Sequence, residues 1–527
     1  MNASLQHLIS TIMQMHAEQE EEPKDEDVIK VSDTVAVAAS AYEVIRNTLE
    51  YDDEHLLRRN AIRRILKRRL GEADSHKLSD KLLRELIWAK YLPNKRVPNA
   101  QIGVVANILE KYKRMFGALE EDTREGQQQY DWLLDVLSTE IEYQVAPPCV
   151  DESLASFAYQ ALKERARFET KLIRDEDRDL QLYIAIHRAV LKSNQATLRY
   201  RLLTLYYPNW RTASSGDPVV HEVSLQLQTV IDSVDGQIRH PAADAVFRFV
   251  RRHAIVFHLI SDIAKDNPQA FATAVASGDI GKLDTALSAA AHERYGIFRS
   301  RLSRTVVRAA FFLLLTKSIL AFLVEYPYEV FVLHTTDYLP LAVNILFPPL
   351  LLAFVGLTVR IPKKKNTEKI LEEAHAFLGI GEDMNFLFKQ KRPWSSGPMF
   401  VVFHLLYLGV FGLTIVLIAS GLRSLAFNSL SIFFFLFFLS LVAYFGLRIR
   451  NTRREYLVID TSTGFLGILG DMIFLPIVRA GRWIALRAPK VNIFLFFFDF
   501  IIEAPFKATI DVIESWVAFL REKREEI

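Results

Sequence analysis

Cysteine is nearly absent: Cys149 is the single one in 527 residues. No intrachain disulfide can form, and no thiolate cage can hold a metal. The readable catalytic signatures are missing too. There is no Walker A loop (the nearest string, GDIGKLD, has the wrong glycine spacing), no GxSxG, no HExxH, no EF-hand loop and no dinucleotide GxGxxG. No period-two alternation runs long enough for a sheet. Net charge is close to nil, with 64 basic against 62 acidic side chains, which excludes a strongly basic nucleic-acid binder as a description of the whole chain. An apolar share of 50% excludes a disordered chain.

The charge balance averages two unlike parts. Residues 1–300 carry 39 basic and 44 acidic side chains, and residues 301–527 carry 25 and 18. The later part also holds 28 of the 36 phenylalanines. Four segments there reach the length of a transmembrane helix, near 306–324, 339–359, 398–420 and 428–447. The first contains Arg308 and Lys317, the second Pro348-Pro349, and the third only His404 as an ionisable group. The fourth carries no charge.

Loop charge sets an expected orientation. Arginines 294, 299, 301 and 304 precede the first span. The segment EYPYEVFVLHTTDY, between the first and second spans, has Glu325, Glu329 and Asp337 but no Lys or Arg. The loop 360–397 and the string RIRNTRR after the fourth span are basic again. The positive-inside rule therefore predicts a cytoplasmic N-terminus.

The expected fold class is all-α: an N-terminal cytoplasmic helical domain followed by a helical transmembrane domain of about four spans, plus C-terminal re-entrant or interfacial helices. Residues 1–31 read as a short amphipathic helix (Leu5, Leu8, Ile9, Ile12, Met13) and an acidic linker, with no signal peptide. Residues 32–300 form the cytoplasmic α-helical domain, with apolar residues recurring at three and four and Pro or Gly between segments. It is large enough for two subdomains. Residues 301–460 are the transmembrane domain. Residues 461–527 hold two short apolar segments, 465–478 and 492–502, expected as re-entrant or interfacial helices with Arg479, Arg482, Arg487 and Lys490 at headgroups; spanning hairpins are the alternative. An amphipathic helix follows Pro505, with Phe506, Ile510, Ile513, Val517 and Leu520 on one face.

Ionisable residues in the apolar part are site candidates because they are costly in lipid. They are Lys317, His404, Asp471, Asp499 and Glu503. Asp499 and Glu503 share a helix face, although Lys507 makes them equally the polar side of an interfacial helix. His334 and Asp337 lie three apart but have no third ligand, so no metal and no cofactor is expected. Pro348-Pro349 kinks or breaks the second span. Gly464, Gly467 and Gly470 permit close helix contact. In the cytoplasmic part, Arg58, Arg59, Arg63, Arg64, Lys67, Arg68 and Arg69 form a basic amphipathic helix with Leu57, Ala61, Ile62, Ile65 and Leu66. It is either solvated and salt-bridged by the acidic domain or a surface for anionic lipid headgroups or a protein partner; nucleic acid ranks last.

The phrases YEVIRNTLEYDDEHLLRRNAIRRILKRRL, ELIWAKYLPN and FFDFIIEAPFK resemble those of uncharacterised multi-pass bacterial membrane proteins with a long helical cytoplasmic region. The resemblance covers scattered segments. It implies a bacterial cytoplasmic (inner) membrane and brings no activity.

Three functional readings follow. The first is a non-enzymatic membrane-anchored scaffold or adaptor, working through the cytoplasmic domain with a protein partner or as a homo-oligomer in the lipid bilayer. The basic helix and the aromatic string Tyr200–Trp210 would be its contact surfaces. The second is a small oligomeric transporter or channel using Lys317 and Asp471. The third is an intramembrane enzyme acting on lipid or peptide through Asp471, Asp499 or His404.

Overall fold

The computed structural model describes residues 2–20, 27–31, 54–120, 122–169, 173–334, 337–359, 361–362, 364–389, 398–459, 475 and 477–485. Of these, 81% are helical and 2% are strand, so the all-α expectation holds. The strand content is one parallel pair, β1 (Ala166–Glu169) with β2 (Phe386–Lys389), in register Ala166 to Phe386. Four residues are too short for an alternation pattern to announce a sheet.

The chain divides into two compact units, 3–163 with 172–247, and 164–171 with 248–490. In the first, helices stop and start where sequence chemistry supplies caps. Asp74 accepts the backbone N–H groups of His76 and Lys77, and Thr123 and Asn194 accept those of Gly126 and Thr197. Behind the caps, apolar residues at helical spacing converge on one core that includes Leu82, Leu109, Leu137, Leu202 and Trp210. The N-terminal helix Ala3–Glu20 buries Leu5, Leu8, Ile9 and Ile12, as its periodicity predicts. Tyr200 and Trp210 are also buried, so the ends of the aromatic string belong to the core; Leu205 and Tyr206 between them are exposed.

The second unit contains four helices long and apolar enough to cross a membrane: Ile280–Leu333, Tyr338–Thr358, His404–Ser424 and Ser429–Tyr456. The first packs on the second and the second on the fourth. The third is the outlying one: 6% of its most apolar stretch is buried, against 44% for the fourth. Glycines permit the close approaches. A Cβ at Gly356 would lie 2.6 Å from Cγ2 of Val306, and one at Gly446 would lie 2.9 Å from Cγ1 of Val355. Gly464, Gly467 and Gly470 lie outside the described residues. So do Asp471, Asp499, Glu503, most of 465–478 and all of 492–527. The described piece 477–485 runs beside the fourth span, with Gly481 against the Ser440 carbonyl and the Arg479 guanidinium 4.7 Å from the Tyr407 ring centre.

The first span corrects one expectation. The apolar pattern ends the first span before EYPYE and predicts a loop there, but the helix continues unbroken through it to Leu333. Pro327 cannot donate a backbone hydrogen bond, yet the chain does not stop there. It widens into π-helical turns at Ala321–Glu325 and Glu329–Leu333, on either side of Tyr326–Tyr328. The wider turn carries the missing donor without ending the helix. His334, in the left-handed region at φ 51°, closes it.

Candidate functional site

Lys317 is fully buried in the first span, and its Nζ donates to Glu325 Oε1 at 2.5 Å. The other carboxylate oxygen accepts from Asn344 Nδ2 at 2.5 Å and from Ser431 Oγ at 3.2 Å. Asn344 Nδ2 also lies 3.3 Å from the Ser431 carbonyl. The rings of Phe434 and Phe438 stand 5.1 and 5.0 Å from the ammonium. One ion pair on the first span is thus closed by the second span through Asn344 and by the fourth through Ser431 and two phenylalanines.

The winding of the first span makes this possible. In an α-helix, residues eight apart overshoot two turns by ~80°. The Ala321–Glu325 turns are closed by i→i+5 bonds, as the Tyr326 N–H to Ala321 carbonyl bond shows. They take up that overshoot and return Glu325 to the face of Lys317. On the second span, Pro348 and Pro349 remove the N–H groups that would ordinarily bond the carbonyls of Asn344 and Ile345. Asn344 Oδ1 has no hydrogen-bond partner among the described residues. Both neighbours of its Nδ2 are acceptors, which fixes the amide orientation. One turn beyond Glu325, the buried Glu329 accepts from Asn428 Nδ2 at 2.8 Å.

An isolated ammonium in hydrocarbon is costly, and a paired, hydrogen-bonded one is tolerated. The chemistry available here is polar and ionic: one cation, two carboxylates and an amide oxygen. Among the described residues no group of three His, Cys, Asp or Glu side chains is placed to hold a metal, and that includes His334 with Asp337.

The basic helix Glu54–Arg69 is laced to carboxylates within its own unit. Arg58 reaches Glu142 at 3.4 Å, and Arg59 reaches Asp135 at 3.6 Å. Arg63 bonds Asp131 and Asp135, both at 2.8 Å. Arg68 reaches Glu85 at 2.8 Å and Arg69 reaches Glu72 at 3.2 Å. Arg64 is half-buried and Lys67 exposed. Burial pushes the Glu142 carboxyl above its usual range even though Arg58 and Arg59 pull it down.

The same unit holds a groove of about 620 Å³, lined by Glu152, Tyr159, Asp179, Tyr183, His187 and Arg201 among others. The exposed Leu205 and Tyr206 form part of the lining. Arg201 is engaged with the Tyr143 hydroxyl at 2.9 Å and Glu152 at 3.1 Å. The His187 imidazole is buried, its Nδ1 has no partner among the described residues, and the Tyr183 ring lies 4.3 Å away. Burial first, then the Arg201 charge, holds its pKa well below the ordinary value of 6.5, so it is neutral.

Of the sequence candidates, Lys317 lies at the centre of a built polar site, and His404 is exposed on the third span. Cost in lipid alone does not single out Glu325, Glu329, Asn344, Ser431 and Asn428 as site residues. Asn344 had a readable signal, a lone amide in an apolar run one turn before a double proline. No family model, no curated protein and no solved structure matches this chain.

Proposed function

We propose that the protein is a membrane-anchored adaptor of a bacterial cytoplasmic membrane. Its N-terminal helical part lies in the cytoplasm, and the four spans serve as the anchor. The observation that carries this reading is the His187 groove. It is lined by Tyr159, Tyr183 and Tyr206, its exposed lining sets Leu205 and Tyr206 beside Glu176 and Asp179, and Nδ1 of the buried His187 has no partner among the described residues, a mix of apolar and polar groups suited to a binding surface. The lattice around Lys317 then acts as a lock that fixes one packing of three spans. Photo-cross-linking from Leu205 and Tyr206 in cells tests the reading. One discrete adduct is expected at both positions, and none at the exposed Leu225. Adducts of equal yield at all three positions, or at none, would refute it.

A second reading, a small oligomeric transporter or channel, is favoured by Asn344. Its Oδ1 lacks a partner among the described residues and its carbonyl has lost the usual helical donor, next to a second buried carboxylate, Glu329. Ion flux into vesicles holding the purified protein tests it. Flux that disappears in Lys317→Met and Asn344→Leu supports transport, and no flux above empty vesicles excludes it.

A further inference from the structure

The polar lattice of the spans holds one ammonium and two carboxylates, so one carboxylate is left without a cation. Lys317 is bonded to Glu325. Glu329, four residues further along the same span, is 4% exposed, and its hydrogen-bond partner is neutral, the Asn428 amide at 2.8 Å.

Asn428 is fixed in that role. It caps the helix Ser429–Thr452 by accepting the Ser431 N–H on Oδ1 at 2.8 Å, which turns its Nδ2 toward Glu329 Oε1. Ser431 in turn donates through Oγ to Glu325 at 3.2 Å. The first turn of the fourth span thus bonds both carboxylates. The setting of that turn is apolar, because Phe427 and Ile432 on either side of it are buried.

No cation matches Glu329 among the described residues. On its own span Lys317 lies twelve residues back, about 18 Å along the axis, and is already paired. His334, five residues on, is exposed. At the start of the second span the charged group is Asp337, an exposed further carboxylate. At the end of the third span Arg423 is exposed and makes no ion pair among the described residues. The fourth span carries no charge before Arg448.

An ionised carboxylate buried without a counter-charge is costly, and taking up a proton removes the cost. We propose that Glu329 is a proton-binding site, neutral while Glu325 is ionised, which exchanges its proton at the end of the span marked by His334 and Asp337. Asn428 occupies Oε1, so the proton adds at Oε2. One O–H bond forms, none in the protein breaks, and the lattice goes from one excess negative charge to none. A metal ion would need several oxygens around the same carboxylate, and among the described residues no group of three His, Cys, Asp or Glu side chains is placed to supply them. The inference rests on neither the adaptor nor the transport reading.

The test treats the full-length protein in mild detergent with dicyclohexylcarbodiimide and maps the adducts by peptide mass spectrometry. The O–H of a neutral carboxyl adds across one N=C bond of the reagent, and acyl transfer to nitrogen leaves a stable N-acylurea. At neutral pH Glu329 should carry the label and Glu325 none, because Lys317 matches the Glu325 charge. Glu329→Gln should lose the label and keep the parent's melting midpoint, since its amide oxygen remains a neutral acceptor for Asn428. Glu325→Gln should melt lower, because it strands Lys317. Equal label on both carboxylates would overturn the proposal, as would an unlabelled Glu329 or a Glu329→Gln variant that melts below the parent. Protection of Glu329 by sodium at constant pH and ionic strength would put a metal ion in place of the proton and overturn the assignment.

Discussion

The Lys317 ammonium lies 2.5 Å from a carboxylate oxygen of Glu325, eight residues further along the same helix, and both side chains are fully buried. Two oppositely charged groups on one helix normally meet at a spacing of three or four. Here the π-helical turns and the partners on two other spans replace that spacing.

Removing one half of the pair leaves a bare charge in an apolar layer. Lys317→Met or Glu325→Leu alone should cost about 3–5 kcal/mol. The double variant should recover more than half of that, because no unpaired charge remains. Thermal midpoints in detergent measure all three, and additive losses in the double variant would contradict the lock.

Close approach of the first two spans depends on the missing side chain at Gly356. Gly356→Ala sets a methyl group against Val306 and should lower stability by about 1–3 kcal/mol. Adding Val306→Ala should restore much of the loss. The pair is read by the same melting experiment, and failure of the rescue would show that the contact is not limiting.

Charge pairing on the helical unit predicts unequal effects. Asp135 accepts from Arg63 at 2.8 Å and Arg199 at 2.9 Å and lies 3.6 Å from Arg59, so Asp135→Asn strips a carboxylate from three cations at once. The expected cost is about 2–4 kcal/mol. Arg63 is 30% exposed, so Arg63→Ala should cost about 1 kcal/mol or less. Denaturant titration of the full-length protein would rank them, and an equal cost would count against the network.

His187 predicts a pH dependence of definite sign. In the folded protein its pKa lies well below 6.5, whereas the unfolded chain takes up a proton near 6.5. Between those two values the unfolded state binds more protons, so stability falls as pH falls through 6.5 and the loss ends below the folded pKa. At higher pH both states are neutral and the residue adds no pH dependence. Melting from about pH 7.5 to about pH 5 should show this slope, and His187→Gln should flatten it. An unchanged slope would assign the effect to other groups.

The sequence by itself determined the all-α class and the four apolar helices, because length and hydropathy are local properties that lipid and helix geometry reward directly. It also marked Lys317 as costly, without its partner. Tertiary structure decided that Glu325 belongs to the helix and not to a loop, because whether a proline ends a helix or widens it depends on what packs around it. It also decided that the most basic helix faces carboxylates far along the chain, such as Glu85 for Arg68 and Glu142 for Arg58. A run of arginines reads the same in one dimension whether it meets carboxylates or lipid. Only the folding of distant segments into one core settles which carboxylates those arginines meet.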